Sequence, residues 1–74
     1  MKQHYVSICS TFEDVQTYGI AFVQKQNGRY VITESYIDLC ADNKKVDNLV
    51  NTCNDLKLDP IHLQDIVADF LTEL

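Results

Sequence analysis

His62, Asp65, Asp69 and Glu73 follow one another at intervals of three and four residues. In a helix, which turns about 100° per residue, these intervals place them on neighbouring positions of one edge. Histidine and carboxylates so arranged could bind a divalent metal ion such as zinc or manganese. A stable site needs three or four ligands converging on one point, whereas a single helix edge spreads them along a line. The plainer reading is a solvated acidic edge with His62 as a polar residue of the first turn, and no resident metal or cofactor is expected. Sensing of a divalent metal or small ligand through His62, Asp65 and Asp69, completed by a second copy of the chain, is the alternative.

The three cysteines, Cys9, Cys40 and Cys53, are odd in number and far apart, which suits reduced thiols better than a disulfide framework. A catalytic thiol needs a positioned base and a group that binds an oxyanion. Cys40 stands where a strand pattern gives way to a helical one, and the two histidines, His4 and His62, are distant from it in sequence. Cys53 falls on an apolar helical stripe, where cysteine serves as a small hydrophobe. Two isolated glycines cannot form a phosphate-binding loop. No catalytic residue is assigned, and the expectation is a protein without enzymatic activity.

Size and charge narrow the remaining classes. A chain of 74 residues makes one domain, residues 1–74, which buries only about 60% of the surface its unfolded form exposes. Such a domain has little room for an enzyme-sized cleft of roughly 300 Å³ or more, so a binding surface is easier to build than a pocket. The composition is 46% hydrophobic and 23% charged, which is ordinary for a folded chain, and the net charge is −5. That charge disfavours nucleic acid and anionic lipid, both of which reward clustered Lys and Arg. The one basic pair, Lys44-Lys45, sits between Asp42 and Asp47 and forms no patch. No apolar run of signal-peptide or membrane-spanning length occurs, so a cytoplasmic location is expected.

The residues above must be positioned by a small set of elements. Residues 5–10 (YVSICS), 17–24 (TYGIAFVQ) and 29–37 (RYVITESYI) carry the β-branched and aromatic residues of strands. Thr11 to Asp14 supplies the first turn. Asn27-Gly28 is the strongest hairpin signal, because both residues tolerate the positive φ of a type I′ turn. A two-residue loop there pairs Val23 with Ile32, Phe22 with Thr33 and Ile20 with Ser35. One face then carries Tyr18, Ile20, Phe22, Val31 and Ile37, and the other Gly19, Ala21, Val23, Tyr30, Ile32, Glu34 and Tyr36. A bulge would exchange the faces of one strand.

From Asp42 onward the period changes. Val46, Leu49, Val50, Cys53 and Leu56 mark one face of a helix capped by Asp42. Asp59-Pro60 then starts a second helix whose apolar face is Leu63, Ile66, Val67, Phe70, Leu71 and Leu74. The expectation is an α+β fold, a three-stranded antiparallel meander followed by two C-terminal amphipathic helices packed on one sheet face. Two helices cover only one side of such a sheet. The other, with its tyrosines and aliphatic residues, is left to solvent, to a second copy or to a partner. Tyr5, Tyr18, Tyr30 and Tyr36 all fall in strands, where ordinary propensity explains them as well as interface use does.

Two segments, Thr17-Tyr18-Gly19-Ile20 and Leu58-Asp59-Pro60-Ile61-His62-Leu63-Gln64-Asp65-Ile66-Val67-Ala68-Asp69-Phe70-Leu71, resemble a domain-of-unknown-function family of short proteins from clostridial-type Gram-positive bacteria. The likeness spans almost the whole chain and implies a stand-alone small bacterial protein. It carries no assigned activity, so it transfers no catalytic residue. The combined expectation is a non-enzymatic interaction module or adaptor, paired with itself through the uncovered sheet face or edge and docking a protein partner. Tyr30, Ile32 and Tyr36 on the sheet, with Asp65 and Asp69 on the last helix, are the expected interface.

Overall fold

The computed structural model describes residues 3–74. Three strands, β1 (Gln3–Phe12), β2 (Val15–Gln26) and β3 (Arg29–Cys40), form one antiparallel sheet in the order β1-β2-β3. The helix α1 (Asn43–Asp55), a short 3-10 turn (Pro60–His62) and the helix α2 (Leu63–Thr72) follow. The expected α+β meander with two C-terminal helices is what the chain forms.

Both hairpins close through two residues with positive φ. Asn27 (53°) and Gly28 (80°) form the expected type I′ turn, and its twist matches that of the flanking strands. Glu13 (50°) and Asp14 (68°) make the other turn, narrower than the four residues expected, so β1 extends to Phe12 and β2 begins at Val15.

Beyond the second turn the register departs from expectation. Val23 faces Ile32 as expected, but Phe22 faces Glu34 and Ile20 faces Tyr36. Thr33 is therefore an extra residue on β3. Because strand side chains alternate, one inserted residue exchanges the faces of everything after it. Glu34 and Tyr36 thereby join Ile20 and Phe22 on the side that the helices cover. A second irregularity follows: Tyr18 faces Cys40, so Ile37, Asp38 and Leu39 lie opposite Gly19 alone. Asp38 takes a left-handed φ of 57°, and the bulge carries the main chain of β3 over Gly19. A methyl group on Gly19 would run into the Tyr36 carbonyl oxygen.

The core lies between the helices and one sheet face. Tyr5, Ile20, Phe22 and Leu39 from the sheet meet Val46, Val50 and Cys53 from α1 and Leu63 and Val67 from α2. Burying a side chain of this size contributes about 1.5–3 kcal/mol, so these nine residues outweigh every other source of stability in a domain this small.

The helix starts follow local chemistry. The Asp42 carboxylate accepts from the Lys44 N–H at 3.0 Å, and that of Asp59 accepts from the Ile61 N–H at 3.1 Å. Asp59 caps the 3-10 turn rather than α2 itself, which begins only at Leu63. The helix α1 ends in a Schellman arrangement: the Lys57 N–H donates to the Asn54 carbonyl and the Leu58 N–H to the Cys53 carbonyl. Lys57 holds the left-handed position (φ 49°) that glycine fills in most such ends, at a cost of about 1 kcal/mol. Since the helix stops at Asp55, Leu56 leaves the apolar stripe on which it was expected and is exposed.

Candidate functional site

The sheet face away from the helices is built from the positions that alternate with the core. Val6 and Ile8 of β1 lie across from Ala21 and Gly19 of β2, and Ile32 of β3 lies across from Val23. The rings of His4 and Tyr30 meet edge to face, 5.5 Å between centroids, at one end of this face. Such neighbours leave Ala21 and Val23 buried although no helix covers them. The exposed apolar side chains of this face are Tyr30 (56%), Ile32 (57%) and Ile37 (52%) on β3, with Phe12 and Val15 beside the first turn.

Charge is distributed unevenly around this face. Of the eleven acidic residues, Glu13 and Asp14 lie in a turn, Glu34 points toward the helices and Asp38 sits in the bulge, while the other seven belong to the helical half from Asp42 onward. The strands thus present an apolar face almost free of negative charge in a chain of net charge −5. The accessible surface of 5233 Å² also exceeds the roughly 4,700 Å² typical of a folded monomer of 8.5 kDa.

A second constellation was not anticipated. Tyr5 on the edge strand is held from three directions. Its main-chain N–H donates to the Asn54 side-chain oxygen at 2.7 Å, and the Asn54 amide nitrogen donates back to the Tyr5 carbonyl at 2.9 Å. Its hydroxyl donates to the Leu58 carbonyl at 2.8 Å, and its ring packs on Phe22 at 4.8 Å. Asn54 thereby occupies the main-chain groups that Tyr5 presents at the free edge of β1, where a foreign strand would otherwise pair.

Burial first, then the negative charges of Cys53, Glu34 and Asp59, pushes the Tyr5 hydroxyl up to about 12 from its ordinary 10.0. Because the folded state holds this proton more tightly than the unfolded chain, its contribution to stability is complete below pH 10.0 and is lost as the pH rises toward about 12. Urea unfolding across that window is expected to show declining stability, with a shallower decline in Tyr5→Phe. An equally steep decline in the variant would place the titrating group elsewhere.

One family model matches residues 1–73, a span that takes in all three strands and both helices. The chain belongs to DUF6514, a family of unknown function. No curated protein and no solved structure matches it. The two segments that carried the sequence resemblance both lie inside the matched region of this DUF6514 protein.

The structure separates the residues singled out from sequence. Tyr30 and Ile32 are exposed on the open face. Tyr36 is not with them: the Thr33 bulge turns it to the helix side, where it packs against the core and its hydroxyl donates to the Glu34 carboxylate at 3.1 Å. Burial and that hydrogen bond both raise its pKa. Asp65 and Asp69 are exposed on α2, and His62 is exposed in the preceding 3-10 turn. Among the described residues no three of His, Cys, Asp and Glu gather into a group that could hold a metal ion. A metal bound by His62, Asp65 and Asp69 would need ligands from another molecule.

The cysteines of the DUF6514 protein are all free thiols. Cys53 is buried, and burial pushes its thiol pKa up, which suppresses the reactive thiolate. The Cys40 sulfur accepts from the Asp42 N–H at 3.4 Å. Among the described residues no helix is long and apolar enough to cross a membrane.

Proposed function

We propose that this DUF6514 protein is a non-enzymatic interaction module that pairs with a second copy through its open sheet face and docks a protein partner in the cytoplasm of a clostridial-type bacterium. The observation that carries this reading is the open face itself, with Ile32, Ile37 and Tyr30 exposed and the acidic residues placed elsewhere. Apolar area is the main driving force of association. A second copy suits the face because two like-charged molecules meet most easily where neither presents its charge. A twofold contact of sheet on sheet, with side chains interdigitating about 10 Å apart, would cover both copies at once. The exposed Asp65 and Asp69 on α2 would then face outward, where they favour a basic partner surface and speed encounter more than they add affinity.

Light scattering over a dilution series tests the pairing. The expected mass is twice 8.5 kDa at micromolar concentration, falling toward the monomer on dilution and little changed by salt, since apolar contact is not screened. A monomer at every concentration would remove self-pairing from the proposal.

A further inference from the structure

A groove of about 260 Å³ opens at the end of the core where α1 meets the first strand. Tyr5, Phe22, Cys53 and Leu58 form its apolar interior, and Gln3, Asn54 and Lys57 its mouth. His4 also lines it, but its ring is engaged with Tyr30 on the other sheet face, so its main chain is what the groove meets.

Most polar groups here are already committed. The Tyr5 hydroxyl serves the Leu58 carbonyl, the Asn54 amide serves the Tyr5 main chain, and the Gln3 side-chain oxygen accepts from the Gln24 amide at 3.1 Å. Among the described residues that line the groove, Lys57 is the one full charge. It is also the residue held at a left-handed φ, at a helix end where glycine would sit without strain. A strained residue kept in place of the easy one is a pointer to use.

We infer that this groove binds a small monocarboxylic acid with an aryl or short alkyl body, its carboxylate on the Lys57 ammonium and its body against Tyr5, Phe22 and Leu58. The volume falls just below the roughly 300 Å³ at which drug-sized pockets begin, which restricts the ligand to a small acid. The site is on the helix side of the sheet and does not depend on the open face being an interface.

Heteronuclear NMR titration with phenylacetate, phenylacetamide and phenethylamine tests the assignment. Phenylacetate is expected to give saturable shifts at the amides of Tyr5, Asn54 and Leu58, and the neutral amide and the cation to bind about tenfold more weakly, the worth of one charge-assisted contact. Lys57→Gly removes the ammonium and relieves the left-handed strain together, so its melting temperature should hold or rise while phenylacetate affinity drops about tenfold. Equal binding of acid and amide, unchanged affinity in Lys57→Gly, or no saturable shift at millimolar phenylacetate would each overturn the site.

Discussion

Gly19→Ala is expected to lower the unfolding free energy by about 3 kcal/mol or more, a large part of the total for a domain of this length. The added methyl would meet the Tyr36 carbonyl oxygen and lie 2.9 Å from the Ile37 Cα. Both are main-chain atoms of the bulge and cannot swing aside as the end of a flexible side chain would. Relief requires β3 to move away from β2, which breaks the pairing that places Tyr36 and Leu39 in the core. Gly28→Ala is the control. Nothing lies within 4 Å of its added methyl, so it bears only the left-handed strain, about 1 kcal/mol. Urea denaturation of the two variants should rank them clearly. If Gly19→Ala cost no more than Gly28→Ala, the close approach of the bulge to β2 would be wrong.

That bulge marks the boundary between what the sequence showed and what it hid. The strands, the helices, the Asn27-Gly28 turn and the Asp42 cap were all legible, because each rests on residues within a few positions of one another, whereas Asp59 caps a 3-10 turn ahead of the helix it was expected to start. Thr33 gave no sign that it would be inserted, since a bulge is chosen by the fit of two strands against a shared core rather than by local propensity. Gly19 and Asp38 did carry a signal: glycine inside a strand and aspartate at a left-handed position are what a close approach and a bulge require. Without the pairing partner, neither said where the faces would exchange, and Tyr36 was accordingly placed on the wrong side. The Asn54 bridge to Tyr5 joins residues 49 positions apart, a separation at which no spacing rule applies. The open face itself was readable, because two helices after three strands can cover only one side. Its sparing of acidic residues emerged only once the bulge had moved Glu34 to the helix side.

The same exchange of faces yields the sharpest test of the pairing. Ile32→Asp would place a carboxylate in the middle of the proposed seam, and a twofold axis would bring a second one toward it. An unpaired charge enclosed by apolar surface costs about 3 kcal/mol, which corresponds to a dissociation constant raised about 100-fold. The monomer should hardly notice, because Ile32 is 57% exposed in it and the lost strand preference is worth about 1 kcal/mol at most. Tyr36→Ala should do the reverse. It removes a ring packed on the core and a hydroxyl bonded to Glu34, costing about 2–3 kcal/mol of stability while leaving the open face intact. Light scattering and urea denaturation on both variants therefore separate the two sides of one strand. Loss of association in Ile32→Asp alone fits the open face as the seam. Loss in Tyr36→Ala under conditions where it remains folded would mean that the copies meet on the helix side, and that the apolar surface of β3 is reserved for something else.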